Sequence, residues 1–181
     1  MSWHLHTPHT QDPNLGKIVS VYLNEDKTLV KRYFVPDGIT THGQPTKESP
    51  EYIEKKWSNE VDAVTRFEGF SWVPGLVEIN QREKYIIQEY YGPCLLNQPF
   101  DDIPNLHQQI INIYTYLKEI DVYKLNGSLA NSTRNGDTLV MFDFKYMTKR
   151  TPDLKPYAQR EINSWLKKFG TELVPTLESL I

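Results

Sequence analysis

The chain has 181 residues and a formal net charge of −3. That length suits a single domain of two small lobes, and the charge gives no electrostatic case for nucleic acid or an anionic membrane. Hydrophobic residues make up 39%, with four Trp, eleven Tyr and seven Phe, enough apolar material for a packed core, which argues against global disorder.

The single cysteine, Cys94, excludes an internal disulfide framework and suits a reducing compartment. No apolar run approaches the length of a membrane span. The start, MSWHLHTPHTQDPN, lacks the basic residues and apolar stretch of a signal peptide. The expectation is a cytoplasmic protein.

Residues 1–16 are polar and read as a loose or edge segment. His4, His6 and His9 lie there without a Cys or carboxylate cluster, so their spacing does not make a metal site. Lys17–Leu23 (KIVSVYL) and Thr28–Val35 (TLVKRYFV) read as strands joined by the turn residues NEDK, hence a hairpin. Residues 36–50 are a loop by their Pro, Gly and Thr content. Glu51–Phe67 is an amphipathic helix started by Ser49-Pro50, with Ile53, Trp57, Val61 and Val64 on one face.

VPGLVEI and Lys84–Tyr91 (KYIIQEYY) are two more strands around NQRE. GPCLLNQPFDDIPN is irregular. Leu106–Ile120 is a second amphipathic helix, with Ile110, Ile113, Tyr114 and Leu117 apolar. Tyr157–Phe169 is a helix ending at Gly170, followed by a short helix through Leu180. Strands, helix, strands and then mostly helices suggest a β-rich lobe over 1–89, a hinge at 90–93 and a helical lobe over 94–181.

The run from Tyr116 to Phe144 carries the chemistry. It reads as a helix end, a polar loop, and two short strands joined at Asn135-Gly136. Asn131 enters the first strand and Asp143 leaves the second, bringing an amide oxygen and a carboxylate to one end of a hairpin. Such oxygens suit Mg²⁺, which takes a few protein oxygens together with nucleotide phosphates.

This run resembles the catalytic and metal-binding segments of the protein kinase-like superfamily, where an Asp is followed five residues later by an Asn and a strand later by Asp-Phe-Gly. Asn131 and Asp143 match the metal positions. Asn126 stands at the position of the catalytic Asp, Ser128 at a position that is basic in many protein kinases, and Lys145 at that of the Gly. TLVK, ending at Lys31, resembles the strand motif VAIK. WSNEVDAVTRF resembles the central small-lobe helix, PGLVEI the next strand, and YIIQEYYGPCLL the strand and hinge between lobes.

The resemblance implies an α+β, two-lobe kinase-like fold with one helix in the small lobe and a truncated helical lobe. It implies ATP and Mg²⁺ as cofactors. Lys31, paired with Glu60, would hold the α- and β-phosphates, with Glu54 and Asp62 as alternatives to Glu60 in another register. Lys31 and Arg32 are neighbours in a strand, so one of the two faces inward; the resemblance selects Lys31. Gln88 would guard the back of the adenine pocket, the backbone from Glu89 to Tyr91 would meet the adenine edge, and Gly16 is the lone glycine offered to the phosphates.

Asn126 sets the limit on activity, because an amide orients an acceptor but is not a useful base. A second register makes Asp121 the base and Asn126 the metal ligand. Asn126-Gly127 is also a step at which an amide can convert to a carboxylate. The expected function is an ATP- and Mg-binding phosphotransferase with an atypical catalytic loop. The alternative is a pseudokinase that binds nucleotide or a protein partner, and an unrelated α+β scaffold is a third reading. The phosphate acceptor is not specified, and a truncated helical lobe leaves apolar surface that a second copy could cover.

Overall fold

Short three-residue strands frame the longer elements expected above. The protein's structure is a computed structural model that describes residues 1–6, 19–35, 37–39, 45–169 and 173–181. Gly16, Lys17 and Gly170 lie outside these residues. Two units divide at the 93/94 bond, one over Met1–Pro93 and one over Cys94–Ile181.

In the first unit, β1 (Trp3–Leu5) pairs antiparallel with β2 (Val19–Asn24), and β2 with β3 (Leu29–Phe34). The β2–β3 turn is held by Asn24, whose buried amide oxygen accepts from the N–H of Thr28 at 2.9 Å and of Leu29 at 2.8 Å. This is the local side-chain bonding that makes Asn a turn former. The loop expected over 36–50 contains a small hairpin instead, β4 (Asp37–Ile39) with β5 (Pro45–Lys47).

Helix α1 (Pro50–Arg66) starts as its sequence predicts. Ser49 Oγ accepts from Tyr52 N at 3.2 Å, and Pro50 occupies the first turn. Its buried face is Ile53, Lys56, Trp57, Glu60, Ala63 and Val64. Val61, expected on that face, is half-buried. Trp57 meets Phe34 of β3 edge to face at 5.4 Å, so α1 covers one side of the sheet. The sheet closes with β6 (Leu76–Asn80) and β7 (Tyr85–Glu89), in the order β1-β2-β3-β7-β6.

In the second unit, α2 (Leu106–Glu119) buries Ile110, Ile113, Tyr114 and Leu117 as its periodicity predicts. Next come β8 (Val122–Lys124), β9 (Ser132–Asn135), β10 (Thr138–Met141) and β11 (Met147–Lys149). β9 and β10 form the expected hairpin, with Gly136 at φ 57 in its turn. β8 and β11 pair antiparallel within what reads in sequence as loop. Helices α3 (Lys155–Phe169) and α4 (Val174–Glu178) follow. Trp165 of α3 donates its indole N–H to the buried Tyr114 hydroxyl of α2 at 3.0 Å, fixing one helix against the other. Leu139, Val140, Met141, Phe144, Ile162 and Trp165 are fully buried.

Among the described residues, no helix is long and apolar enough to cross a membrane.

Candidate functional site

In the first unit the strand register decides which basic residue faces α1. Val30 lies opposite Gln88, and Arg32 opposite Ile86. Side chains alternate, so Arg32 shares its face with Phe34, Ile86 and Gln88, all buried beneath α1. Arg32 Nη2 donates to Glu60 Oε1 at 2.5 Å and also to Gln88 Oε1. Glu60 is fully buried and Arg32 nearly so. Gln88 completes the cluster by donating its Nε2 to Pro74 O at 3.2 Å.

The expected Lys31–Glu60 pair is therefore corrected: the cation on Glu60 is Arg32. Lys31 points to the opposite face, where its ammonium lies 3.8 Å from the ring centre of Tyr85, 4.9 Å from Tyr33 and 5.5 Å from Trp3. The strand pattern did not contain the choice, since Lys31 is in step with Leu29, Tyr33 and Val35 just as Arg32 is with Val30 and Phe34. Glu60 is the carboxylate that is paired; Glu54 and Asp62 are exposed, and Glu54 binds Lys84.

Gln88 is buried with both ends of its amide engaged, so it acts as a strut for Arg32. The backbone N–H of Glu89 donates to Gly75 O at 2.9 Å and that of Tyr90 to Thr28 O at 2.8 Å. Those two donors belong to the sheet, although both residues were expected at the adenine edge together with Tyr91. The Tyr91 hydroxyl donates to the exposed Glu89 carboxylate.

In the second unit the loop from Lys124 to Asn131 is wired to the turn at Asp143. Asn126 Nδ2 donates to Asp143 O at 2.9 Å. Lys124 Nζ donates to Asn126 Oδ1 at 3.2 Å, to Asn126 O at 3.3 Å and to Asp143 O at 3.0 Å. Asn131 Nδ2 donates to Asn126 O at 2.8 Å. These partners fix which way the Asn126 amide points: an ammonium only donates and a carbonyl only accepts. Asp143 sits at φ 62, a left-handed conformation uncommon outside glycine. The buried Phe144 beside it packs under the Lys124 ammonium, 4.9 Å from its ring centre.

Asp121 sits exposed at φ 59 just beyond the end of α2, with the whole of β8 between it and this loop. Asn126, Asn131 and Asp143 are thus the residues brought together, and Asp121 is not one of them. Lys124, only 2% exposed, is the member that sequence reasoning missed. Its signal was a lysine at the end of a short apolar run, VYK, too short to reveal which face is buried. Glu161 of α3 lies within its electrostatic reach; burial pushes the Glu161 carboxyl up to about 7, with Lys124 and Arg160 pulling the other way.

Asn131 Oδ1 and the Asp143 carboxylate are the oxygens a Mg²⁺ ion would use. The donor types fit, but the charge does not. Lys145 Nζ lies 2.7 Å from Asp143 Oδ2, both side chains largely buried. Among the described residues, no group of three His, Cys, Asp or Glu side chains gathers to hold a metal ion. A divalent ion on this carboxylate would meet the charge of the ammonium already bound at Oδ2; the other oxygen, Oδ1, is buried and accepts no hydrogen bond among the described residues.

These arrangements define a class, the protein kinase-like fold. Solved structures similar to this chain bear that fold out. Rio2 kinase from Chaetomium thermophilum superposes at a TM-score of 0.59 with 12% identity, over 98% of this chain and 62% of that one; it was crystallised with ADP, Mg²⁺ and phosphoaspartate. A further Rio2 structure from the same organism agrees at 0.59, with 13% identity over 98% and 63% of the two chains. Monomeric WbdD gives 0.65, with 12% identity over 95% of this chain and 42% of that one. The chain spans about three-fifths of Rio2 kinase and about two-fifths of WbdD. No protein-family model and no curated protein matches the sequence.

Proposed function

We propose that this protein is a nucleotide-binding pseudokinase: a kinase-like module that takes up ATP or ADP and does not itself transfer phosphate. The observation that carries this reading is the state of Asn126. Both ends of its amide are engaged, one accepting from Lys124 and the other donating to Asp143 O. An aspartate at this position has no N–H for that carbonyl, and Asn126 cannot accept a proton from an acceptor hydroxyl. The loop therefore uses the residue at 126 as a strut. The nucleotide residues are proposed to be Arg32, whose guanidinium keeps further donors beyond those on Glu60 and Gln88, and, by the resemblance, the backbone at Tyr91. Asn131 and Asp143 stand at the metal position.

A second reading, weak ATP-dependent phosphoryl transfer, is favoured by one observation. Asn131, Asn126 and Asp143 are tied into one loop, and loose phosphoryl-transfer transition states need positioning more than a strong base. One experiment separates the readings. ATP binding is measured by calorimetry, and γ-phosphate release and autophosphorylation are followed with labelled ATP, for the natural chain and Asn126→Asp. Saturable binding without turnover in the natural chain supports the pseudokinase. Turnover by the natural chain sinks it, and binding by neither protein sinks both readings.

A further inference from the structure

The position after Asp143 holds a lysine, and that lysine is already bound to the carboxylate. Lys145 Nζ lies 2.7 Å from Asp143 Oδ2, with the two side chains 10% and 16% exposed. Solvent screens such a pair far less than one on the surface. The carbonyl of the same residue receives the buried Lys124 ammonium at 3.0 Å. The carbonyl and one carboxylate oxygen of Asp143 thus each meet a positive charge from its own chain, while the other carboxylate oxygen, Oδ1, is buried and accepts no hydrogen bond among the described residues. A divalent ion placed on this carboxylate would lose the Lys145 pair or face its charge, and it would face the Lys124 charge across the same turn. Asn131 would add one neutral oxygen, and among the described residues no group of three His, Cys, Asp or Glu side chains gathers to hold a metal ion.

We propose that Lys145 takes the place of the divalent cation on Asp143, so that this turn excludes Mg²⁺ and the chain binds nucleotide phosphates without a metal ion. The phosphate half rests on the nucleotide-binding reading above. The metal half stands on the Lys145–Asp143 pair by itself.

The test uses the full chain with Lys145→Met, Lys145→Gln and the double variant Lys145→Met/Asp143→Asn. Circular dichroism identifies the variants that keep the native fold, and the two replacements of Lys145 back each other up. Mn²⁺, without nucleotide, is the metal probe, read by electron paramagnetic resonance. The natural chain is expected to show no saturable Mn²⁺ site, while removal of the ammonium tightens Mn²⁺ binding by about tenfold or more, the size of change that the partners of a metal ligand typically impose. The double variant should lose the gained site. Equal Mn²⁺ binding by the natural chain and both single variants overturns the proposal.

The second readout is binding of a fluorescent ATP analogue in chelator and in excess Mg²⁺. Affinities of the natural chain should agree within about threefold, under 1 kcal/mol, and Lys145→Met should become Mg²⁺-dependent. Binding by the natural chain that vanishes in chelator overturns the metal-free mode. If no form binds nucleotide, the phosphate half falls together with the nucleotide reading, and the Mn²⁺ contrast still decides the role of Lys145.

Discussion

Arg32→Met should destabilise the first unit far more than Lys31→Met, although the two residues are neighbours with the same charge. Removing Arg32 leaves the Glu60 carboxylate, fully buried, without its cation and takes a donor from Gln88. Breaking one side of a buried pair costs about 3–5 kcal/mol. Lys31 instead lies half-buried over three aromatic rings, the nearest at 3.8 Å, and such contacts are worth about 0.5–1 kcal/mol at open sites. With a urea slope of about 2 kcal/mol per molar, the Arg32 variant should unfold roughly 2 M earlier and the Lys31 variant no more than about 0.5 M earlier. Urea titrations followed by tryptophan fluorescence read both, since Trp57 and Trp72 lie in this unit. Arg32→Met/Glu60→Leu should recover most of the loss, because a buried pair replaced by apolar groups of similar size is often close to neutral. Equal losses for Lys31→Met and Arg32→Met, or a loss below about 1 kcal/mol for Arg32→Met, would refute the assignment of Arg32 as the inward cation.

Tyr114→Phe withdraws the hydroxyl that accepts from Trp165 at 3.0 Å and donates to Gly127 O at 3.4 Å; the expected loss is about 1–2 kcal/mol in denaturant unfolding. Glu161 titrates up to about 7 in the folded chain because burial disfavours its charge. The folded state therefore holds this proton more tightly than the unfolded state, and stability falls as pH rises from the ordinary carboxylate range to about 7. Glu161→Gln should remove that fall. Its melting temperature should exceed the parent's above neutral pH and converge with it in acid, and a gap that is independent of pH would contradict the burial of Glu161.

Long periodic elements were readable in the sequence, and their reasons are local. Ser49-Pro50 caps and starts α1, the apolar spacing of Leu106–Glu119 defines α2, and the expected turn after β9 is made by Gly136-Asp137, with Asn135 closing the strand. Strands of three residues were not readable, since β1, β4, β5, β8 and β11 offer too few positions to display an alternation. The misassigned cation has a different cause. TLVKRYF contains two basic residues one position apart, and a one-residue choice of face moves every side chain to the other side of the sheet. The motif pointed to Lys31, and the apolar pattern could not correct it, since Leu29, Tyr33 and Val35 stand in step with Lys31 as Val30 and Phe34 do with Arg32. Gly16, the expected phosphate-loop glycine, lies outside the described residues.

The loop at Asn126 shows why a motif match and a chemical match differ. A carboxylate at 126 would face the Asp143 carbonyl, acceptor against acceptor, with the Lys124 ammonium beside it to offset the repulsion. An amide satisfies that carbonyl with its own N–H while its oxygen takes the Lys124 ammonium. One neutral group thus bonds to both sides where a charged one bonds to one. The same economy appears at the next turn, where the Lys145 ammonium neutralises Asp143 directly. Asn126 and Lys145 depart from the kinase pattern in complementary ways. The first removes a negative charge that a metal would help to balance, and the second supplies a positive charge that a metal would have brought. Together they leave two ammonium groups, Lys124 and Lys145, around the single charge of Asp143, a net positive turn that suits the phosphates of the proposed nucleotide.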